Sequence, residues 1–334
     1  MWRKMSDTVL SKENLIKWGF GLAAFAFLVS VPLFVKNTYY LRILTIGGIT
    51  ILPVLGLNLL TGISGQLSIC QAGFYGIGAY ASVLLVMRLH LSFWLALPLA
   101  TLFTGVIGFG LGIPSLRFKG HYLVIVTIGF TVIIYEIFLN WVSVTRGPMG
   151  IVGIPPPNPI LGLTFVSQKA YYYLCLVFVI LAIWVMRKIY YSKLGLGFLA
   201  IREDETAAEI MGIDIIKYKL VAFTLSALYA GCGGALFAHY LRTVTPDLFT
   251  LFESVNFLLM VVLGGMGSIP GAVFGAFFVT IISEYLRFLM AYRLVAYGFL
   301  LIVIIIFLPL GAADFARRIK GVLLSRIDKS SKTL

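Results

Sequence analysis

Ten apolar runs follow one another along this chain, at about residues 15–35, 41–61, 66–87, 91–113, 122–142, 170–186, 219–241, 251–264, 271–289 and 294–310. Short charged or turn-forming stretches separate them. About 20 apolar residues in a helix cross the hydrocarbon of a bilayer, and a helix satisfies all its backbone hydrogen bonds without water. Lipid is therefore the main solvent. Only 12% of the residues are charged and the mean hydropathy is +1.01, so the 334 residues leave no room for a sizeable soluble domain. The expected fold is an all-α integral membrane protein, a polytopic bundle of about ten transmembrane helices, some of them glycine-interrupted.

The runs divide the chain into a cytoplasmic N-terminal segment (1–14), a transmembrane domain (15–311) and a basic cytoplasmic tail (312–334). Within the domain, residues 187–218 form an inner loop and 143–169 an outer one. The orientation follows from charge. With both termini in the cytoplasm, 18 of the 26 Lys and Arg lie inside and eight outside (Lys36, Arg42, Arg88, Arg146, Lys169, Arg242, Arg287 and Arg293), the asymmetry that retention of cations predicts. The net charge of +13 thus reports orientation and attraction to anionic headgroups rather than a nucleic-acid partner. The first run lacks a small-residue cleavage pattern after it and is expected to be a retained helix. Gly147-Pro148 and Pro155-Pro156-Pro157 predict a stiff, extended outer loop. Phe315, Ile319, Val322 and Leu323 share one helical face of the tail, which suits either a helix on the inner surface or a frayed terminus.

Catalytic signatures are missing. The chain has no GxxxxGK[ST], HExxH or GxSxG motif, and Cys70, Cys175 and Cys232 each sit alone in an apolar run, so neither nucleotide hydrolysis nor a metal site is expected here. Few acids enter the runs, Glu136 being the clearest with Glu253 and Glu284 nearby. That argues against a proton-coupled carrier, which relies on intramembrane relays of ionisable side chains.

Two polar stripes stand out. Ser64, Ser68, Gln71, Tyr75, Gly78 and Ser82 recur at steps of four and three, with Gln66 in the same stretch, and predict one polar face of a helix. Such a face either lines a path for a polar solute or packs helices together. Gly129, Val132, Glu136, Asn140 and Ser143 form the second stripe; Glu136 there either attracts a solute ammonium or is a hydrogen-bonded structural acid. Glycines also break the chain at Thr61-Gly62-Ile63-Ser64-Gly65 and at Gly264 to Gly271. Each break is either non-helical backbone at membrane depth or a tight turn, the latter reading fitting 264–271 better.

The most informative hydrophilic stretch is Arg202-Glu203-Asp204-Glu205-Thr206-Ala207-Ala208-Glu209-Ile210-Met211-Gly212. Acids at its start complement a helix dipole and Gly212 supplies a left-handed stop, so a helix of about two turns is predicted, with Ile210 and Met211 exposed. It either caps the bundle or offers a knob to a partner's cleft.

Gly56-Leu57-Asn58 through Gly65-Gln66-Leu67-Ser68, Gly76 to Tyr80, Tyr122 to Phe130, Ala200 to Ile213 and Val262 to Ser268, in that order, resemble the branched-chain amino-acid permease family of ABC importers, LivM-type branch. The likeness covers roughly residues 45–310. It implies a membrane-spanning importer subunit, itself no enzyme, that forms a heterodimer with a second related permease in a prokaryotic inner membrane. Two cytoplasmic ATPase subunits would bind ATP-Mg, an extracytoplasmic binding protein would deliver solute, and this chain would bind no cofactor. The segment containing Arg202, Glu203, Asp204, Glu205, Ala207, Ala208, Glu209, Met211 and Gly212 would couple to an ATPase. Ser64, Gln66, Ser68, Gln71, Tyr75, Gly129 and Glu136 are the candidates for the solute path. Departures occur at Cys70-Gln71, where Gly-His is common, and at Val132 and His121, where acids are common. They leave amino acids other than Leu, Ile and Val, short amides and urea-like solutes open. An ion-gradient-driven carrier or a channel for a small polar solute is the alternative function.

Overall fold

Each expected run that can be followed in the computed structural model contains a helix, although the one expected from residue 66 becomes helical only at Gln71. The structure describes Pro32 and residues 37–115, 118, 120–159 and 164–285. The runs at 15–35 (Pro32 excepted) and 294–310, the segments 1–14 and 312–334, and Arg117, Lys119, Arg287 and Arg293 lie outside the described residues. The order is α1 (Thr38–Leu57), continued by a π-helical turn Asn58–Ile63, then α2 (Gln71–Arg88), α3 (Phe93–Ser115), α4 (His121–Asn140), α5 (Gln168–Tyr190), α6 (Lys193–Glu203), α7 (Glu205–Ile210), α8 (Ile215–Leu241), α9 (Leu251–Gly264) and α10 (Ile269–Tyr285). Among the described residues, six stretches are long and apolar enough to cross a membrane: Thr38–Ile63, Phe93–Pro114, His121–Asn140, Gln168–Tyr190, Ile215–Leu241 and Pro246–Gly264.

Five of the helices begin at side-chain caps. Asn37, Ser167, Ser192, Asp204 and Asp214 each accept a hydrogen bond from a backbone N–H one turn inside, satisfying donors that a helix start leaves open. At Asp214 the carboxyl is held below its usual range, chiefly by the hydrogen bond from the Lys217 ammonium, 2.8 Å away. Three of these caps lie within the inner loop expected at 187–218. That connection is helical over most of its length: α5 runs into it as far as Tyr190, α6 and α7 fill it, and α8 begins at Ile215.

α8 is the axis of the bundle, packed along α3, α2 and α1, while α1 also meets α5 and α10, and α10 meets α9. The closeness of α2 to α8 depends on glycine. A Cβ on Gly78 would overlap the backbone of Gly231, and one on Gly234 would overlap the Tyr75 carbonyl; without a hydrophobic effect between helices in lipid, such backbone approach is what gives packing energy. Tyr171 Oη donates to the Leu236 carbonyl (2.6 Å) and Tyr229 Oη to the Ala182 carbonyl (2.9 Å), tying α5 to α8. Cys70 and Cys175 are buried, Cys232 partly so, and all three are free thiols.

At the end of the bundle opposite α7, the stretch 143–159 is more structured than its prolines suggest. A turn at Val142–Thr145 and a 3-10 turn at Gly147–Met149 lead into β1 (Ile151–Val152), which pairs antiparallel with β2 (Thr243–Val244). His239 of α8 sits beneath, its ring nitrogens 3.1 Å from Ser82 Oγ and 2.9 Å from the Pro155 carbonyl. The two-residue ladder is the one departure from an all-α fold among the described residues.

Candidate functional site

Where α1 ends, the chain does not simply turn. The ladder widens to a π-helical turn at Asn58–Ile63, and residues 65–70 then run back without helix until α2 starts at Gln71. Buried backbone outside a helix needs hydrogen-bond partners from the protein, and neighbouring hydroxyls supply them. Ile69 N–H donates to Thr127 Oγ1 (3.0 Å), Thr131 Oγ1 donates to the Ile69 carbonyl (2.8 Å), and Ala72 N–H donates to Ser254 Oγ (2.9 Å). Gln66, Ser68 and Cys70 are buried while Gly65 and Leu67 are exposed, the period-two alternation of an extended segment.

The polar stripe expected on one helix is therefore divided, because Ser64, Gln66 and Ser68 precede the helix. Ser64 Oγ donates to the Leu60 carbonyl (2.9 Å), Gln66 Nε2 to Ser64 Oγ (2.8 Å), and Ser68 Oγ lies 2.9 Å from Cys70 Sγ. Gln71 Nε2 donates to the Pro53 carbonyl (2.7 Å) and its Oε1 accepts from Ser226 Oγ (3.0 Å). Tyr75 is buried among Phe237, Phe249 and Phe257. All five candidates are buried in the bundle, and the four polar ones other than Tyr75 are engaged within the chain.

Gly129 and Glu136 differ. They lie on α4, of whose most apolar 18 residues only 22% are buried, against 83% for the span that begins at Thr38. A Cβ on Gly129 would meet nothing within 4 Å. Glu136 is exposed, with Asn140 Nδ2 donating to its Oε2 at 2.9 Å, and both line a shallow groove with Val132, Ile133 and Trp141.

The second break, at Gly264 to Ser268, is the tight turn that its glycines suggest, between α9 and α10, with φ of +100° at Gly265 and +81° at Gly267. Its neighbour in space is the first break. The fully buried Asn58 accepts from Gly267 N–H (2.8 Å) and donates to the Ser268 carbonyl (3.3 Å), so one side-chain amide reads the turn as a backbone strand would. Arg202, at the end of α6, donates from Nη1 to the Gly62 carbonyl. A Cβ on Gly62 would overlap Gly267 N and Asn58 Oδ1, and one on Gly65 would press on Arg202.

Arg202 and Glu203 close α6, Asp204 is at once its end and the cap of α7, and α7 carries Glu205, Ala207, Ala208 and Glu209. Met211 ends it and Gly212 follows at φ +83°, the left-handed stop that was expected. Ala208 packs inward at 3% exposure, whereas Ile210 and Met211 stand out at 80% and 82%. Glu205 is 2.5 Å from Lys219 of α8, whose side chain is only 7% exposed. Sequence gave no sign of Lys219, Asn58, Thr127, Thr131 or Ser254 as site residues, since each acts on a partner distant in the chain.

Lys219→Met should lower the thermal midpoint of the purified chain in detergent. Removing one member of a buried ion pair costs about 3–5 kcal/mol, and Glu205, 29% exposed, regains water, so about 1–3 kcal/mol is expected. Adding Glu205→Gln to Lys219→Met should restore part of the loss.

Comparison with known proteins gives a consistent set of relatives. The family model "Branched-chain amino acid transport system / permease component" matches residues 39–308. The chain is 37% identical over 298 residues to the high-affinity branched-chain amino acid transport system permease protein LivM of Salmonella typhimurium, covering 82% of this chain and 70% of that one. It is 36% identical to LivM of Escherichia coli, over 93% of this chain and 77% of that one. The permease protein LivH of Salmonella typhimurium is 24% identical over 80% of this chain and 92% of its own. No solved structure matches.

Proposed function

The chain belongs to the branched-chain amino acid transport system permease family, and from that premise we propose that it is the membrane-spanning subunit of an ABC importer for leucine, isoleucine and valine. The observation that carries this reading is α7: a short capped helix that presents Ile210 and Met211 to solvent and is tied to the bundle by Glu205 and Lys219. An apolar tip on an otherwise charged knob is the shape a partner's cleft grips. The partner is an ATPase subunit, because the sequence carries no phosphate-binding loop of its own; ATP-Mg is bound there. Two such subunits, one per permease, and an extracytoplasmic solute-binding protein complete the importer. The α7 end faces the cytoplasm, as do both termini, in the inner membrane of a prokaryote.

The second permease is a related chain, since this protein resembles both LivM and LivH. It sits against α4. The outward side of α3 is apolar, with Leu99, Leu102, Phe103, Val106 and Ile113 exposed, and suits lipid. The outward side of α4 carries Glu136 and Asn140, and a charged side chain within a span faces the bundle interior or water rather than lipid. A solute path between the two permeases, lined on this side by Gly129 and Glu136, gives that carboxylate water and an ammonium to meet. In the importer reading Ser64, Gln66, Ser68, Gln71 and Tyr75 act on the path through packing, by holding the broken helix in place.

Purification of the tagged chain with its neighbouring transport genes, in mild detergent, tests the assembly. A second permease and an ATPase are expected to co-purify, with ATP hydrolysis in the complex. A chain that purifies alone and moves solute without ATP would leave a channel or a gradient-driven carrier as the better account.

A further inference from the structure

Three features meet at one point of the bundle that neither the packing of the spans nor the docking of an ATPase requires to meet. They are the π-helical turn at Asn58–Ile63, the glycine turn at 264–268, and Arg202. Asn58 joins the two breaks through Gly267 N–H and the Ser268 carbonyl. Arg202 joins both to the coupling segment: its Nη1 donates to the Gly62 carbonyl, its Cα, Cβ and Cγ lie 3.0–3.2 Å from where a Cβ on Gly65 would be, and its Nη1 lies 3.0 Å from where one on Gly267 would be. Only Glu203 separates Arg202 from Asp204, the cap of α7. Glycine at 62, 65 and 267 is what lets the guanidinium and its stem come this close.

Resting on the importer reading, we infer that Arg202 is a positioning residue that latches α7 to both helix breaks, so that a displacement of α7 by the ATPase is delivered to them together. A backbone carbonyl in a π-helical turn is only partly engaged by its own ladder and accepts a charged donor readily. A guanidinium is suited to this place because the nitrogen that donates to Gly62 also lies against Gly267, held there by a planar group, whereas an ammonium is a single point charge on a flexible stem. The breaks are the flexible places of their helices, since glycines and a widened ladder oppose rearrangement least. With α1 continuing into the first break, and α9 and α10 flanking the second, both pairs of helices would move as α7 moves.

Two measurements on the complete complex test the latch, with Arg202→Met, which keeps the stem that packs on Gly65, and Arg202→Lys, which keeps the charge. In hydrogen exchange, the peptides spanning 58–66 and 264–270 should both exchange at least five-fold faster in Arg202→Met, and peptides of α3 should not change. In proteoliposomes, solute moved per ATP hydrolysed should fall at least ten-fold in Arg202→Met and stay within about three-fold of the native ratio in Arg202→Lys. Unchanged exchange at either break, or a native transport ratio in Arg202→Met, would overturn the latch. The exchange effect in Arg202→Met, found together with no ATP-driven uptake by the native complex, would overturn the importer reading and the transmission role with it, while leaving the contact itself established.

Discussion

Replacing Ile210 and Met211 together by aspartate should abolish ATP-driven uptake while leaving the chain folded. Both side chains are more than three-quarters exposed, so their loss removes no contact inside the protein. Burying one such side chain in a partner is worth about 1.5–3 kcal/mol. Losing two, and forcing two carboxylates toward a desolvated cleft, should weaken ATPase docking by more than about 4 kcal/mol, about a thousand-fold in affinity. The check is quantitative co-purification of the ATPase beside the melting curve of the permease. Retained docking by a normally folded variant would mean that α7 caps the bundle and does nothing further.

Gly78→Leu should have the opposite signature, loss of the folded chain itself. The α2 and α8 backbones touch at Gly78 and Gly231, and neither can retreat without giving up the packing of α8 on α1 and α3. Overpacking ordinarily costs about 1–3 kcal/mol when side chains can adjust; here the obstacle is backbone, so more than about 3 kcal/mol is expected. Size-exclusion profiles and melting curves in detergent should show little monodisperse protein. Gly129→Ala is the matched control, because space is open there and alanine is the better helix former by about 1 kcal/mol. Equal behaviour of the two variants would show that the close approach of α2 and α8 is not what holds the bundle.

The contrast between these two positions also shows what local sequence conveys. Runs of apolar residues predict spans because length and hydropathy are properties of a single segment, and 121–140 or 215–241 need nothing else to be recognised. The α7 knob was legible for the same reason: its cap at Asp204, its acids and its stop at Gly212 are all within nine residues. The stretch 64–70 was not. Its spacing fits a helix, yet its backbone is satisfied by Thr127, Thr131 and Ser254, and that alternative is decided by residues far along the chain. The two glycine breaks were visible individually, but their meeting depends on Asn58, whose partners lie 209 and 210 positions away. Of the stripe expected over 129–143, Val132, Glu136 and Asn140 share one groove of α4, while Ser143 lies past the helix end at Asn140; the exposure that separates this stripe from the one on α2 is a property of the bundle and not of the helix.

Uptake of labelled leucine, isoleucine and valine by proteoliposomes is the most direct test of the central claim. The vesicles would hold this chain with its co-purified permease and ATPase, the solute-binding protein outside and ATP-Mg inside. Accumulation above the outside concentration that requires ATP, and that stops when the ATPase is omitted, is the predicted result. Equal movement with and without ATP, or movement by this chain alone, would contradict it.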